Sequence, residues 1–322
     1  MPNLMLTNWC NYKCPFCFGI DGMHPKRPAR AMDDDTFLGI LAWLKRTEYK
    51  APIHLMGGEP TLHPKFEWIV DTLLERDLPI TVFSNLATEK APVYTEKLSL
   101  LPINWVVNVN PPYKWEGRQR DRIEASLANL GTRASITFNI MPDEADNDWA
   151  IDLIRRFNLN KHIKVGFILP TYTHSNVSLR EDEYAVVAER TVRLARRAAQ
   201  EGIDLAYECG VPTCAFTDAQ LGELWRLGNR VMSGCYSRLD IQPTGEVFYC
   251  LPLYTLAAKH YSEFPTYDAA KAWFEKIYAP YRRIGRRLEC ATCNLMCPDA
   301  CNGACLAANL NGIKNLKIDT SL

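Results

Sequence analysis

Three cysteines within eight residues, Cys10, Cys14 and Cys17, are the first side chains in this sequence whose spacing implies chemistry. They follow the apolar run Leu4-Met5-Leu6-Thr7 directly. Three thiolates suit a cubane iron–sulfur cluster, because four irons then keep one coordination position free. Zinc is the alternative; it needs a fourth ligand, for which His24 is available. No cysteine occurs between Cys17 and Cys209. Then come Cys209 and Cys214, Cys235 and Cys250, and finally Cys290, Cys293, Cys297, Cys301 and Cys305, twelve in all. A disulfide-stapled secreted protein scatters its cysteines through a short chain. Clusters at two ends of an ordinary globular middle have the pattern of metal sites.

The elements that must position these thiols read as an α/β rhythm. Short apolar runs at 4–7, 53–56, 80–83, 105–108, 135–138 and 163–167 predict six strands, each followed by a helix. Helical spacing is clearest at 33–46, where Phe37, Ile40, Leu41 and Leu44 share a face behind an Asp run, and at 66–75, 119–130, 148–157 and 181–201. Such alternation implies a parallel sheet covered by helices, and six βα units fit a partial barrel better than a closed eight-fold one. The site is then expected at the carboxyl ends of the strands, where the three-cysteine loop lies. Beyond Gly202 the rhythm is lost: residues 241–249 read as a hairpin with a Pro-Thr-Gly turn, and 268–277 as a helix. The expected division is a barrel over 1–205, a linker over 206–234 and a cysteine-rich domain over 235–322.

Composition narrows the partners. Lys plus Arg and Asp plus Glu both number 37, which argues against a polyanion binder, and no apolar run is long enough to span a membrane. The expected address is the cytoplasm, with neither nucleic acid nor membrane as partner.

The spacing Cys-x3-Cys-x2-Cys after a first strand, with Phe16 before the third cysteine, resembles the signature of the radical S-adenosylmethionine enzymes. Met56-Gly57-Gly58-Glu59-Pro60, at the end of the second expected strand, resembles that family's Gly-Gly-Glu-Pro element. The resemblance covers roughly residues 1–200. It implies a 4Fe-4S cluster on Cys10, Cys14 and Cys17 that binds S-adenosyl-L-methionine and yields a 5′-deoxyadenosyl radical. It also implies cofactor contacts from the backbone around Phe16 and from Ser84, Asn85, Asn108 and Asn139 at later strand ends. Gly57 and Gly58 allow close backbone approach, and Glu59 can accept hydrogen bonds from an ammonium group. The bland reading of these polar residues is turn formation.

Cys235-x9-Gly245-x4-Cys250, followed by the knuckle Cys290-x2-Cys293, resembles the SPASM or shorter twitch extension, which holds one or two auxiliary 4Fe-4S clusters. The match is incomplete: the familiar Cys-x2-Cys-x5-Cys-x3-Cys run is replaced by Cys290, Cys293, Cys297, Cys301 and Cys305, with nothing after it. Seven cysteines from Cys235 onward fill one cluster and three positions of a second. The eighth ligand is then Cys209, Cys214 or a non-cysteine residue; Cys209 and Cys214 are otherwise hydrogen-atom donors to a substrate radical or buried thiols. A zinc ribbon is the alternative for 290–305.

Lys276, Arg282, Arg283, Arg286 and Arg287 form a basic group, read as a solvated face or as a dock for an acidic electron donor such as flavodoxin or ferredoxin. Tyr113 and Trp115 are candidates for lining a substrate cavity. The reaction expected from the resemblance is modification of a C–H bond in a ribosomal peptide by crosslinking, epimerisation or oxidation. The alternatives are a radical dehydrogenase or epimerase acting on a sugar or aminocyclitol and, from another class, a non-catalytic zinc-binding interaction protein. The chain begins almost at its first strand, so a peptide is expected to be recognised by the barrel or through a separate protein.

Overall fold

Apolar alternation and parallel pairing build the framework from the first residues onward. The computed structural model describes residues 2–321 except 48, 145, 232, 233, 236, 237, 283, 297–300, 312 and 314. Strands and helices alternate as β1 (Asn3–Thr7), α1 (Asp34–Lys45), β2 (Ile53–Gly57), α2 (Phe66–Leu74), β3 (Ile80–Ser84) and α3 (Ala91–Leu98). They continue as β4 (Ile103–Asn108), α4 (Gly117–Leu130), β5 (Ala134–Ile140), α5 (Trp149–Phe157), β6 (His162–Phe167) and α6 (Tyr184–Gln200). These are six βα units. After them come β7 (Asp204–Tyr207), α7 (Asp218–Arg226), β8 (Asp240–Ile241), β9 (Glu246–Phe248), β10 (Ala258–His260), α8 (Tyr267–Tyr278) and α9 (Leu306–Leu310).

The sheet runs in the order β10-β9-β8-β1-β2-β3-β4-β5-β6-β7. Neighbours from β1 to β7 are parallel, with Ile53 opposite Ile80 and Ile80 opposite Ile103. Every carboxyl end therefore opens on one side, as a partial barrel requires. β8 pairs parallel with β1, and β9 turns back antiparallel on it. The hairpin thus extends the barrel's own sheet. Its turn closes with Gly245 N–H donating to the Gln242 carbonyl at 2.9 Å, and Gly245 takes φ 84°, the left-handed conformation that glycine supplies freely.

Period-two alternation assigns the two faces. Leu4 and Leu6 join Ile53, Leu55, Ile80 and Val82 beneath Phe37, Ile40 and Leu44 of α1 and Ile69 and Leu73 of α2. Met5 points the other way, into a smaller cluster with Met23 and Phe248. The Asp run caps α1 as expected: Asp33 accepts from Thr36 N–H at 2.7 Å. Five elements were not legible in the sequence: α3, β7, α7, β10 and α9. α3 buries only Ala91, Tyr94, Thr95 and Leu98, and β7 is a short, half-exposed edge strand without a full apolar run. Among the described residues no helix is long and apolar enough to cross a membrane.

Trp43 ties the first helix to the C-terminal region. Its indole N–H donates to the Phe264 carbonyl at 2.9 Å, and its rings lie 5.8 Å from those of Tyr261 and Tyr267. Trp43→Ala is expected to cost about 3–5 kcal/mol, read as a lower denaturant midpoint. Trp43→Phe keeps most of the packing and should lose about 1 kcal/mol. Equal midpoints for both variants would show that α1 is not anchored through this side chain.

Candidate active site

The site begins with two glycines that bring β2 against the cysteine loop. Gly58 N–H donates to the Thr7 carbonyl at 2.7 Å, and Glu59 N–H to the Trp9 carbonyl at 2.8 Å. A Cβ on Gly58 would fall 2.0 Å from Trp9 O, and one on Gly57 2.3 Å from Thr7 O. The close approach served by these glycines is thus to the protein's own backbone, which locates Cys10 relative to the end of β2.

Glu59 is 1% exposed, and protein donors occupy both of its oxygens. Oε1 accepts from Thr61 Oγ1 at 2.7 Å and from Ser84 Oγ at 2.8 Å, and Oε2 from Asn85 N–H at 2.8 Å. Burial pushes its carboxyl above the usual range, against hydrogen bonds that favour the charged form. Glu59 therefore fastens the end of β2 to that of β3. Asn85 extends this frame to the loop: its Nδ2 donates to Asn11 Oδ1 at 2.9 Å and to Cys10 Sγ at 3.8 Å, while its Oδ1 accepts from Ala87 N–H at 2.9 Å. On the far side, Asn176 Nδ2 donates to the Phe16 carbonyl at 3.2 Å, and Val177 N–H to the Pro15 carbonyl at 2.8 Å. Neither Asn11 nor Asn176 belongs to a pattern that sequence reading could single out.

Burial governs the three loop thiols. Burial pushes Cys10 up to about 12 and Cys14 up to about 11; Cys17, also buried, is raised as well. The acidic neighbours of Cys10, namely Glu59, Cys14 and Cys17, each raise it further. Such thiols ionise when a metal displaces the proton. Among the described residues no three His, Cys, Asp or Glu side chains are gathered as ligands of one ion. A cubane instead places each thiolate on a separate iron. His24, the residue available to complete a zinc site, stacks on Trp9 with ring centroids 5.2 Å apart.

Phe16, Asn108 and Asn139 meet in a small cleft at the ends of β4 and β5, with Met141, Lys114 and Glu144 at its wall. Lys114 Nζ lies 3.0 Å from Glu144 Oε1. Gly166 makes room for Asn139, whose Oδ1 sits 2.3 Å from where a Cβ would be. Trp115 is buried and donates to the Asn110 carbonyl at 2.8 Å, a core role, while Tyr113 is exposed.

The later cysteines gather in two sets. Cys209 lies within electrostatic reach of Cys235 and Cys305, and Cys250 within reach of Cys235, Cys305 and Cys209. Cys209 is exposed by surface area, and desolvation pushes its thiol well above the usual range. Amide N–H groups opening α9 donate to this set, Leu306 to Cys235 and Ala307 and Ala308 to Cys305. Tyr278 presents a buried hydroxyl without a hydrogen-bond partner within reach of Cys250, a donor that a cluster sulfide would satisfy. The second set is Cys214 with Cys290 and Cys301. Cys293 is exposed in the same segment, and Cys297 lies outside the described residues.

The basic group does not form one solvated face. Lys276 is exposed, but Arg282, Arg286 and Arg287 are half-buried and turn toward the cysteines; Arg283 lies outside the described residues.

Strand-end thiols on a parallel α/β sheet, framed by a Gly-Gly-Glu turn, define an iron–sulfur enzyme of the partial-barrel class. The chain belongs to the radical SAM superfamily, whose family model matches residues 4–226, and its cysteine-rich C-terminal region resembles the SPASM/twitch extension. Members of the superfamily are enzymes that use a 4Fe-4S cluster and S-adenosylmethionine. The chain is 26% identical over 269 residues to the GTP 3′,8-cyclase of Hydrogenovibrio crunogenus strain DSM 25203 / XCL-2, covering 76% of this chain and 78% of that protein. Its fold is similar to that of anSMEcpe with bound AdoMet, with a TM-score of 0.69, 14% identity, and coverage of 99% of this chain and 93% of the other. It is also similar to Streptococcus suis SuiB bound to precursor peptide SuiA, with a TM-score of 0.67, 15% identity, and coverage of 95% and 71%.

Proposed function

We propose that this chain is a radical SAM enzyme of the SPASM/twitch type that abstracts a hydrogen from a ribosomal peptide, leading to crosslinking, epimerisation or oxidation. The observation that carries the reading is the pinning of the Cys10–Cys17 loop, by Gly58 and Asn85, at the open ends of the sheet. When bound there, the cluster and S-adenosylmethionine supply a 5′-deoxyadenosyl radical. Cys10, Cys14 and Cys17 would hold the cluster. Glu59 and Ser84 keep the ends of β2 and β3 in register beneath it, and Asn85 orients Cys10. Phe16, Asn108 and Asn139 wall the neighbouring cleft. The barrel over 1–205 supplies this site, and the auxiliary thiols lie in the region over 235–322 and, as Cys209 and Cys214, in the joining segment 206–234.

Two auxiliary clusters fit those thiols. Cys209, Cys235, Cys250 and Cys305 form a complete four-thiol set; Cys214, Cys290, Cys293 and Cys301, with Cys297 in the same run, serve the second. In this reading Cys209 and Cys214 are ligands rather than hydrogen donors. An external donor such as flavodoxin or ferredoxin supplies the electron. Anaerobically reconstituted protein should bind about twelve irons per chain, from three cubanes. No more than four would remove the auxiliary sets.

Peptide modification is supported by likeness to the SuiB fold seen with its precursor peptide. The GTP 3′,8-cyclase relative favours a second reading, a radical enzyme acting on a small molecule. Deuterated candidate substrates separate the two. Deuterium in 5′-deoxyadenosine from a peptide supports the first reading, and deuterium solely from a small molecule replaces it with the second.

A further inference from the structure

One arginine reaches both the backbone of a candidate ligand and the phenol beside its thiol. Arg282 donates from Nη1 to the Cys235 carbonyl at 3.1 Å and from Nη2 to the Tyr249 hydroxyl. That hydroxyl passes its own proton toward Cys235 Sγ, so guanidinium, phenol and thiol form a chain. The guanidinium also lies 5.7 Å from the centre of the Tyr249 ring, and Tyr249 is buried. Among the described residues no carboxylate stands within ion-pair distance of Arg282, so its charge is directed at the thiol side.

Arg286 and Arg287, in the same segment, are engaged elsewhere. Arg286 donates to the Tyr184 hydroxyl, and its side chain is only 18% exposed. Glu181 is their shared acidic partner, 3.9 Å from Arg286 Nε and 3.3 Å from Arg287 Nε. Four thiolates around a cluster concentrate negative charge in a poorly solvated place. Positive charge and hydrogen bonds to ligand sulfur both favour the reduced state and raise its potential.

We propose that Arg282, acting through Tyr249, sets the reduction potential of a cluster on Cys209, Cys235, Cys250 and Cys305. This rests on the auxiliary-cluster reading above. These are positioning residues: they touch the ligands, not the substrate.

The test uses full-length, reconstituted chain in which Cys10, Cys14 and Cys17 are replaced by alanine, so that only C-terminal iron titrates. Dithionite reduction is followed by electron paramagnetic resonance, with iron and sulfide counted on each sample. Tyr249→Phe, which keeps the ring, and Arg282→Gln should retain their iron and move one signal to lower potential. Arg282→Lys should restore much of that shift, because it returns the charge. Arg287→Gln, at a residue that pairs with Glu181, is the control and should leave that signal in place. Unchanged midpoints with iron retained would overturn the proposal and leave Arg282 a packing role. Absence of iron in the parent protein would overturn the auxiliary-cluster reading itself, a result separable from the first by the iron count.

Discussion

Alanine in place of Cys10, Cys14 and Cys17 together is expected to reduce 5′-deoxyadenosine formation to background while leaving C-terminal iron bound. The bound group carries the difficult chemistry, so removing its ligands removes the reaction rather than slowing it. The two sites are separable because they use different thiols on different elements. The loop follows β1 and is held by Asn85 and Asn176, whereas the later sets are assembled from the segment after β7, the β8–β9 hairpin and the run up to α9. Activity assay and iron count on one sample check both halves. Deoxyadenosine persisting under dithionite would reassign the catalytic loop, and loss of all iron would show that the sets are interdependent.

Gly58→Ala should be nearly as damaging without touching a ligand. The new methyl would sit 2.0 Å from Trp9 O, 2.3 Å from Trp9 C and 2.8 Å from Cys10 N. All three are backbone atoms, so no side chain can swing aside. Ordinary overpacking costs about 1–3 kcal/mol, and here relief comes only by moving the strand that leads into Cys10. A displacement near 1 Å at a reacting centre costs on the order of 100-fold in rate. The expected result is a folded protein with reduced loop iron and a deoxyadenosine yield lowered about 100-fold. Gly222→Ala is the control, because a Cβ there meets nothing nearer than Arg226 Nη1 at 3.7 Å. Full activity in Gly58→Ala would show that the glycine is not what seats the loop.

Legibility followed the range of the interactions. The six strands and most of their helices were readable because each strand's apolar run and each helix's 3.6-residue stripe is a local pattern. β7 escaped because an edge strand buries one face weakly, and α3 because eight residues carry only two turns of pattern. Residue types at the site were readable too, and the structure adds contacts that no spacing shows. Gly57 and Gly58 are small to accommodate backbone, and Glu59 spends its oxygens on Thr61, Ser84 and Asn85. Arg282, Arg286 and Arg287 read as a surface charge run and proved to face inward. A linear sequence shows the density of charge, not the direction in which each side chain leaves the backbone.

The sequence by itself determined the family and the placement of three thiols at the end of the first strand, because both rest on short spacings within a few residues. Only the tertiary structure brings Cys209 within electrostatic reach of Cys235 and Cys305, on which the proposed grouping rests. Cys209 and Cys305 are separated by almost a hundred residues, and Cys209 follows β7 at one edge of the sheet while the β8–β9 hairpin lies on the other side of β1. That approach comes from sheet pairing and burial summed over the whole chain, and no local spacing encodes it.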